Sequence, residues 1–574
     1  LSLTATHNVA QLTRNMKSWV TRQNGERFLS VSVVILLAIV LLPILAIIWL
    51  SFNATENIWP HLFSNVLPDA TWDTLALMAG VGVLTLIVGT GTAWLVTMYQ
   101  FPGRNLVDWL LVLPLAMPTY IIAFCYVEIF DYSGLVQSSL REMFGWQSAR
   151  DYWFPSIRST GGAIFVMGFV LYPYVYLSAR ASFLQQSICV LEVARTLGRT
   201  SFGAFRTVAL PLARPALTAG VALALMECLN DLGAVEYLGV NSMSIAVYST
   251  WLERSNLGGA AQLASVMLIF VIILFTMERM ARRGQKYHHT TGRYQPIPHV
   301  ELKGVSGALA SVFCITPFIL GFALPALNLT SGVYYFGWDA LTSDLASAIW
   351  HSFMIAGLAA ILAVSLALYL TYGRRLMPSY FMKIAARLAS FGYAVPGTVL
   401  AVGLLIPLAA FDNSLDAIMR DTIGISTGLL LSGGIFAVVL ALTIRFMAVS
   451  IGAIDAGFDR ISPNLDAAAR TLGETSLSTL VRIHLPMLRP ALGAAALLVF
   501  VDSMKELPAT LLLRPFNFDT LATHVYGLAS LDQFEEASLA ALLIVAIGLV
   551  PVVLLHRAIA GGRVGNRSNE KSRV

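Results

Sequence analysis

Residues 191–217 read LEVARTLGRTSFGAFRTVALPLARPAL, and residues 465–492 read LDAAARTLGETSLSTLVRIHLPMLRPAL. With Gly198 set over Gly473 the offset is 275, and between Arg195–Leu217 and Arg470–Leu492 12 of 23 positions are identical. An arbitrary register should match about one or two at ordinary residue frequencies. The chain is therefore built on an internal repeat, which settles its architecture before any single element does. Each copy is polar and basic, is flanked by long apolar runs, and closes with a Leu-Pro pair, Leu210-Pro211 and Leu485-Pro486.

The runs on either side set the class. Of 574 residues 57% are hydrophobic and 12% are charged, whereas a soluble domain carries about a quarter charged residues. The apolar residues fall at roughly 28–52, 74–99, 106–130, 161–184, 216–239 and 261–280, then at 305–326, 347–372, 388–411, 427–452, 491–513 and 536–556. Each is long enough to cross a bilayer as helix. The first is too long for a signal-peptide core and reads as a retained span. Pro118 and Pro396 stand inside such runs and mark kinks that neighbouring helices support. The expected fold is an all-α membrane protein of about twelve spans in two parallel, pseudo-symmetric six-helix halves. Its parts are a cytoplasmic N-terminal segment 1–27, a first half 28–280, a linker 281–304, a second half 305–556 and a tail 557–574.

The repeat reaches beyond the loops. Ala116-Met117-Pro118 matches Ala394-Val395-Pro396, and Glu227, Asp231 and Ala234 match Asp502, Glu506 and Ala509 at the offset of 275. Six spans per half give both halves the same orientation. With the N-terminus in the cytoplasm, the inner segments hold 29 of the 37 Lys and Arg residues and the outer loops hold six, namely Arg141, Arg150, Arg158, Arg254, Arg420 and Arg514. That asymmetry puts both repeated loops, the linker and the tail inside. It also explains the net charge of +5 as topology and not as nucleic-acid binding. The outer segment 131–160 is aromatic and amphipathic; an interfacial helix and a docking surface for a soluble partner both fit it.

Glu-x-Ala-x-x-x-Gly followed by Leu-Pro, between two spans, resembles the cytoplasmic "EAA" loop of ABC-importer permeases. The resemblance implies that each loop forms a short helix gripped by an ATPase subunit, and two loops in one chain look like two fused permease halves. It carries the ATPase-coupling role to Glu192, Ala194, Arg195, Gly198 and Pro211 in the first copy. In the second copy it carries that role to Asp466, Ala468, Arg470, Gly473 and Pro486. The second copy departs from the pattern, with Ala467 where Glu192 stands and Asp466 one place earlier.

Other chemistry is absent from the sequence. There is no G-x-x-x-x-G-K-[ST] and no HExxH, and the four cysteines form no CxxC. No catalytic residue, fixed metal site or bound cofactor is expected; ATP and Mg belong to the partner ATPase. Charge inside the membrane is present. Glu227 and Asp231 lie four apart in the fifth run, and Asp502 and Glu506 in the eleventh, so each pair is expected on one helix face. Ionisable groups at that depth point to function, while a paired structural network with Lys505 and Arg445 is the competing expectation. A translocation path is expected along these four acids, with Tyr120, Tyr172 and Tyr176 as further oxygens.

The run Lys505-Glu506-Leu507-Pro508-Ala509-Thr510-Leu511-Leu512-Leu513-Arg514-Pro515 resembles that of the fused permeases of ferric-iron (Fe3+) importers. The resemblance implies an inner-membrane permease working with two ABC ATPase subunits and a periplasmic ferric-ion-binding protein. Related permeases for phosphonate, thiamine, sulfate or polyamine share the scaffold. A gradient-driven secondary transporter and a membrane-bound enzyme are the other classes to weigh.

Overall fold

The computed structural model describes residues 2–53, 58–186, 196, 200–283, 300–336 and 341–561, with side chains between residues 27 and 554 except at 185, 201, 279 and 281–283. Among these, twelve helices are long and apolar enough to cross a membrane. The first half contains α1 (Ser2–Phe52), α2 (Leu67–Met98), α3 (Arg104–Leu110), α4 (Thr119–Phe130), α5 (Leu135–Phe144), α6 (Thr160–Gln185), α7 (Leu210–Asn230), α8 (Gly233–Tyr237), α9 (Met243–Leu252) and α10 (Leu257–Arg283). The second half contains α11 (Val305–Phe318), α12 (Leu324–Phe336), α13 (Ser343–Leu376), α14 (Tyr380–Ala389), α15 (Gly397–Ile423), α16 (Ile435–Phe458), α17 (Pro463–Thr471), α18 (Leu485–Lys505), α19 (Pro508–Leu513), α20 (Leu521–Ser530) and α21 (Phe534–Gly561). Two short strands, β1 (Tyr99–Gln100) and β2 (Val300–Glu301), pair in parallel. They stitch the end of the linker to the inner end of α2, beside Arg104. The chain is an all-α membrane protein, and a bare sheet edge would be untenable in lipid.

Each half lends its first span to the other. α1 packs along α15, and the backbone of Pro43 lies against Gly403. Reciprocally, the Tyr126 hydroxyl of α4 donates to the Leu320 carbonyl at 2.7 Å, in the turn between α11 and α12. The outward sides of the spans carry exposed Val31, Ile35, Leu45 and Trp49 on α1 and Ile269, Ile272 and Ile273 on α10. Apolar surface of this kind is what lipid solvates.

Four π-turns occur among the described residues, at Leu62–Val66, Phe205–Ala209, Ile319–Ala323 and Leu480–His484. Each runs directly into a Leu-Pro pair: Leu67-Pro68, Leu210-Pro211, Leu324-Pro325 and Leu485-Pro486. A proline inside a helix has no N–H to give, and its ring collides with the carbonyl four residues back. That carbonyl sits inside the π-turn in all four cases. Widening the turn accommodates the ring while the helix continues.

The expected kinks at Pro118 and Pro396 are full breaks. A 3-10 turn at Leu113–Ala116 or Ser390–Ala394 ends the run, and a new helix starts after the proline. Met117 and Val395 are extended, as a residue before proline prefers. The fifth and eleventh runs also break, after Asn230 and after Lys505. Four interrupted helices thus meet at one depth.

Candidate functional site

The four breaks enclose a cavity of about 150 Å³. Glu227, Asp231, Asp502 and Glu506 all line it, together with Tyr120, Arg445 and Lys505. The expectation that each acid pair shares a helix face is corrected by the structure. α7 ends at Asn230 and α18 at Lys505, so Asp231 and Glu506 stand one residue beyond their helices with extended backbones.

From there both carboxylates turn onto the next helix. Asp231 Oδ1 accepts the Ala234 N–H at 2.8 Å, and its Oδ2 accepts the Thr119 hydroxyl. Glu506 Oε1 accepts the Ala509 N–H at 2.8 Å, and Oε2 accepts the Thr510 N–H at 3.0 Å and hydroxyl at 2.8 Å. A helix that begins inside a membrane exposes N–H groups that water cannot reach, and these acids satisfy them and meet the positive end of the dipole. Arg445 Nη1 lies 3.3 Å from Glu506 Oε1 and 2.9 Å from Asn230 Oδ1, so it bridges the halves. Gly397 makes room: a Cβ there would come within 2.7 Å of Glu506 and 2.8 Å of Arg445.

Glu227 and Asp502 are differently placed. Glu227 Oε1 accepts the Tyr393 hydroxyl at 2.9 Å. Asp502 pairs with Lys505 at 3.3 Å, with its side chain one-third exposed. Lys505 Nζ also donates to the Leu115 carbonyl of the other half at 3.5 Å. Among the described residues no three His, Cys, Asp or Glu side chains are grouped to hold a metal.

Tyr120 lines the cavity and its buried hydroxyl has no hydrogen-bond partner among the described residues. Tyr172 and Tyr176, expected beside it, lie elsewhere. Both are fully buried, Tyr172 donating to the Leu111 carbonyl at 2.8 Å and Tyr176 to Asp108 Oδ1 at 2.6 Å. The cavity takes Tyr174 from the same helix, and Tyr393 from the opposite half. Residues 172 and 176 are four apart and share a face; 174 points the other way. The helical period carries this signal, because it places Tyr174 on the face opposite Tyr172 and Tyr176. Tyr393 and Thr119 had no such signal, because each sits in a break.

At the inner side the second repeated loop forms α17, capped by Ser462. Ala468 and Arg470 are exposed, as are Leu465 and Leu472. Gly473 closes the helix with φ +82°, and a Cβ there would touch nothing, so the left-handed backbone is its requirement and not close packing. Pro486 follows the π-turn, as Pro211 does in the first half. Asp466, expected at the coupling surface, turns inward. Arg375 Nε donates to Asp466 Oδ2 at 2.8 Å, and His484 Nε2 donates to Oδ1 at 2.6 Å. Glu192, Ala194, Arg195 and Gly198 of the first loop lie outside the described residues.

On the outer face α5 carries no buried residue. Phe144, Trp146 and Tyr152 stack at 4.8 and 4.7 Å. Asp151 accepts the N–H groups of Ser148 and Gln147, each at 2.8 Å, which hold its carboxyl below the usual carboxylate range.

Residues 85–286 match the family described as binding-protein-dependent transport system inner membrane component. Over 504 residues the chain is 26% identical to the Fe(3+)-transport system permease protein FbpB 2 of Haemophilus influenzae, covering 86% of this chain and 91% of the relative. It is 23% identical over 489 residues to the ferric transport system permease protein FbpB of Actinobacillus pleuropneumoniae, covering 81% of this chain and 67% of the relative. The sulfate transport system permease protein CysT of Salmonella typhimurium is 27% identical over 267 residues, which is 44% of this chain and 91% of the relative. A protein of about half the length thus aligns nearly end to end on less than half of this chain, as two fused halves require.

Proposed function

We propose that this chain, a multi-pass inner-membrane component of a binding-protein-dependent transport system, is the permease of an ABC importer that passes ferric iron through the cavity between its halves. The observation that carries the reading is that Glu227 and Asp502 both line that cavity. These are the two repeat-related carboxylates left over once Asp231 and Glu506 are taken up as helix caps. Fe3+ is a hard ion and prefers carboxylate and phenol oxygen to sulfur. A cage of four free carboxylates would hold it; transport needs a site strong enough to admit an ion and weak enough to release it. Lys505 tempers Asp502, and Tyr393 shares Glu227. The relatives named for ferric transport, aligned over most of the chain, support the same cargo.

Two ATPase subunits grip the cytoplasmic loops, bind ATP and Mg, and close on one another. The closure rocks the halves and switches access to the cavity, while a periplasmic binding protein delivers iron outside. An oxyanion cargo fits less well, because Arg445 and Lys505 are already paired with carboxylates.

The test is the complex reconstituted in liposomes. Iron-loaded binding protein should stimulate ATP hydrolysis and iron uptake, and uptake should persist when an uncoupler collapses the proton gradient at constant ATP. Stimulation by sulfate or 2-aminoethylphosphonate in place of ferric ion would overturn the cargo. Loss of uptake with the gradient would overturn the ABC mechanism.

A further inference from the structure

His484 is fully buried in the π-turn that opens α18, with the rings of Tyr372 and Phe458 at 5.7 and 5.6 Å. Its Nε2–H reaches Asp466 Oδ1, on the cytoplasmic helix α17, at 2.6 Å. The other oxygen of that carboxylate is taken by Arg375, at the inner end of α13. Arg375 also donates to the Ile461 carbonyl at 3.0 Å and the Phe458 carbonyl at 3.2 Å, on the approach to α17. Past α17, the Tyr372 hydroxyl donates to the Ser476 carbonyl at 2.5 Å. Both flanks and the first turn of α17 are therefore fixed to the spans.

We propose that the Asp466–His484 contact is a strut that transmits movement of the second ATPase-docking loop to the cavity, and that Leu191 and Ala209, the residues of the first half at the equivalent positions, cannot form this contact, so the two loops are mechanically unequal. The proposal rests on reading the loops as docking elements. From His484 one helix leads to Asp502 and Lys505, 18 and 21 residues on. That is about 27–32 Å at about 1.5 Å per residue. A push on α17 that moves Asp466 moves the base of α18, and with it the Asp502–Lys505 pair and the Glu506 cap. At the offset of 275 the first half has Leu191 and Ala209 in place of Asp466 and His484. Leucine and alanine side chains have neither donor nor acceptor to offer. There the Ala209 carbonyl accepts Gln186 Nε2 at 3.0 Å. The half-buried pair Asp108–Arg180, at 2.7 Å, ties α3 to α6 and not a loop to a span. Asp466 and His484 are positioning residues, set apart from the side chains that line the cavity.

The experiment measures iron uptake and ATP hydrolysis on the same vesicles containing the full complex. His484→Ala copies the residue of the first half. It should leave the ATPase subunits bound and basal hydrolysis intact, yet lower iron moved per ATP about tenfold, the size of a typical coupling between sites. His484→Gln, which keeps an N–H donor, should recover most of that ratio. Gln186→Ala should stay close to wild type. A wild-type ratio in His484→Ala, or equal losses in the Ala and Gln variants, overturns the strut; a Gln186→Ala loss as large as that of His484→Ala overturns the asymmetry. If His484→Ala does not reach the membrane, Asp466→Ala, which removes the acceptor, is read for the same fall in ratio. A wild-type chain that binds no ATPase would sink the docking reading itself, a result distinct from all of these.

Discussion

Arg445 of the second half and Asn230 of the first meet across the molecule, guanidinium Nη1 to side-chain Oδ1, at 2.9 Å. The same oxygen accepts the Gly397 N–H at 2.7 Å, and the same guanidinium pairs with Glu506. One residue at the end of a broken helix is thus held by the start of another broken helix and by a buried cation. This knot closes the seam beside the cavity.

Arg445→Met should destabilise the protein strongly. It leaves Glu506, 2% exposed, without its cation. Removing one partner of a buried pair costs about 3–5 kcal/mol. Thermal unfolding in detergent should show a clear drop, partly recovered by adding Glu506→Gln. An unchanged midpoint in the single variant would show that the pair does not hold the seam.

The four acids should separate into two kinds. Glu227→Gln with Asp502→Asn should reduce iron uptake strongly while the protein remains folded and ATPase subunits stay bound. Asp231→Ala and Glu506→Ala should lower stability first, because each removes a buried helix cap worth about 0.5–2 kcal/mol. Normal uptake in a stable Glu227/Asp502 double variant would remove these acids from the path.

Gly473→Asp and Gly198→Asp should abolish uptake with the permease still in the membrane. Gly473→Asn should be tolerated better by the backbone, since asparagine accepts positive φ. Gly473→Ala should cost about 1–2 kcal/mol locally. Glu192→Ala should be milder than either Asp change. Copurification of the ATPase is the readout, and wild-type transport in both Asp variants would refute the docking assignment.

A phosphatase active outside the cytoplasm should be silent when fused at His288 or at 570 and active near Asn65 or Ser331. Activity at His288 would break the arrangement of two parallel halves.

Asp412→Ala should loosen the outer loop 424–434. The carboxylate is fully buried and accepts the Leu431 N–H at 3.0 Å and the Ser432 N–H and hydroxyl, each at 2.7 Å. Leaving buried N–H groups unmade costs about 1–3 kcal/mol each. Faster protease cleavage within 424–434 is the expected outcome; an unchanged rate would mean that other contacts hold the loop.

The sequence by itself determined the repeat, the twelve spans and the membrane class. It also marked the Leu-Pro pairs and the depth at which charge is buried. These follow from composition and period, which a bilayer enforces along the chain. Only the tertiary structure decided which side chains share the cavity. An i, i+4 argument holds while the helix holds, and the helices end between Glu227 and Asp231 and between Asp502 and Glu506. Beyond a break, side-chain direction is set by whichever buried N–H groups need an acceptor. That is why Asp231 and Glu506 became caps. Asp466 turned inward for a related reason: Arg375 and His484, 91 residues before it and 18 after, converge on one carboxylate. No local pattern encodes such a meeting; packing of α13, α17 and α18 creates it.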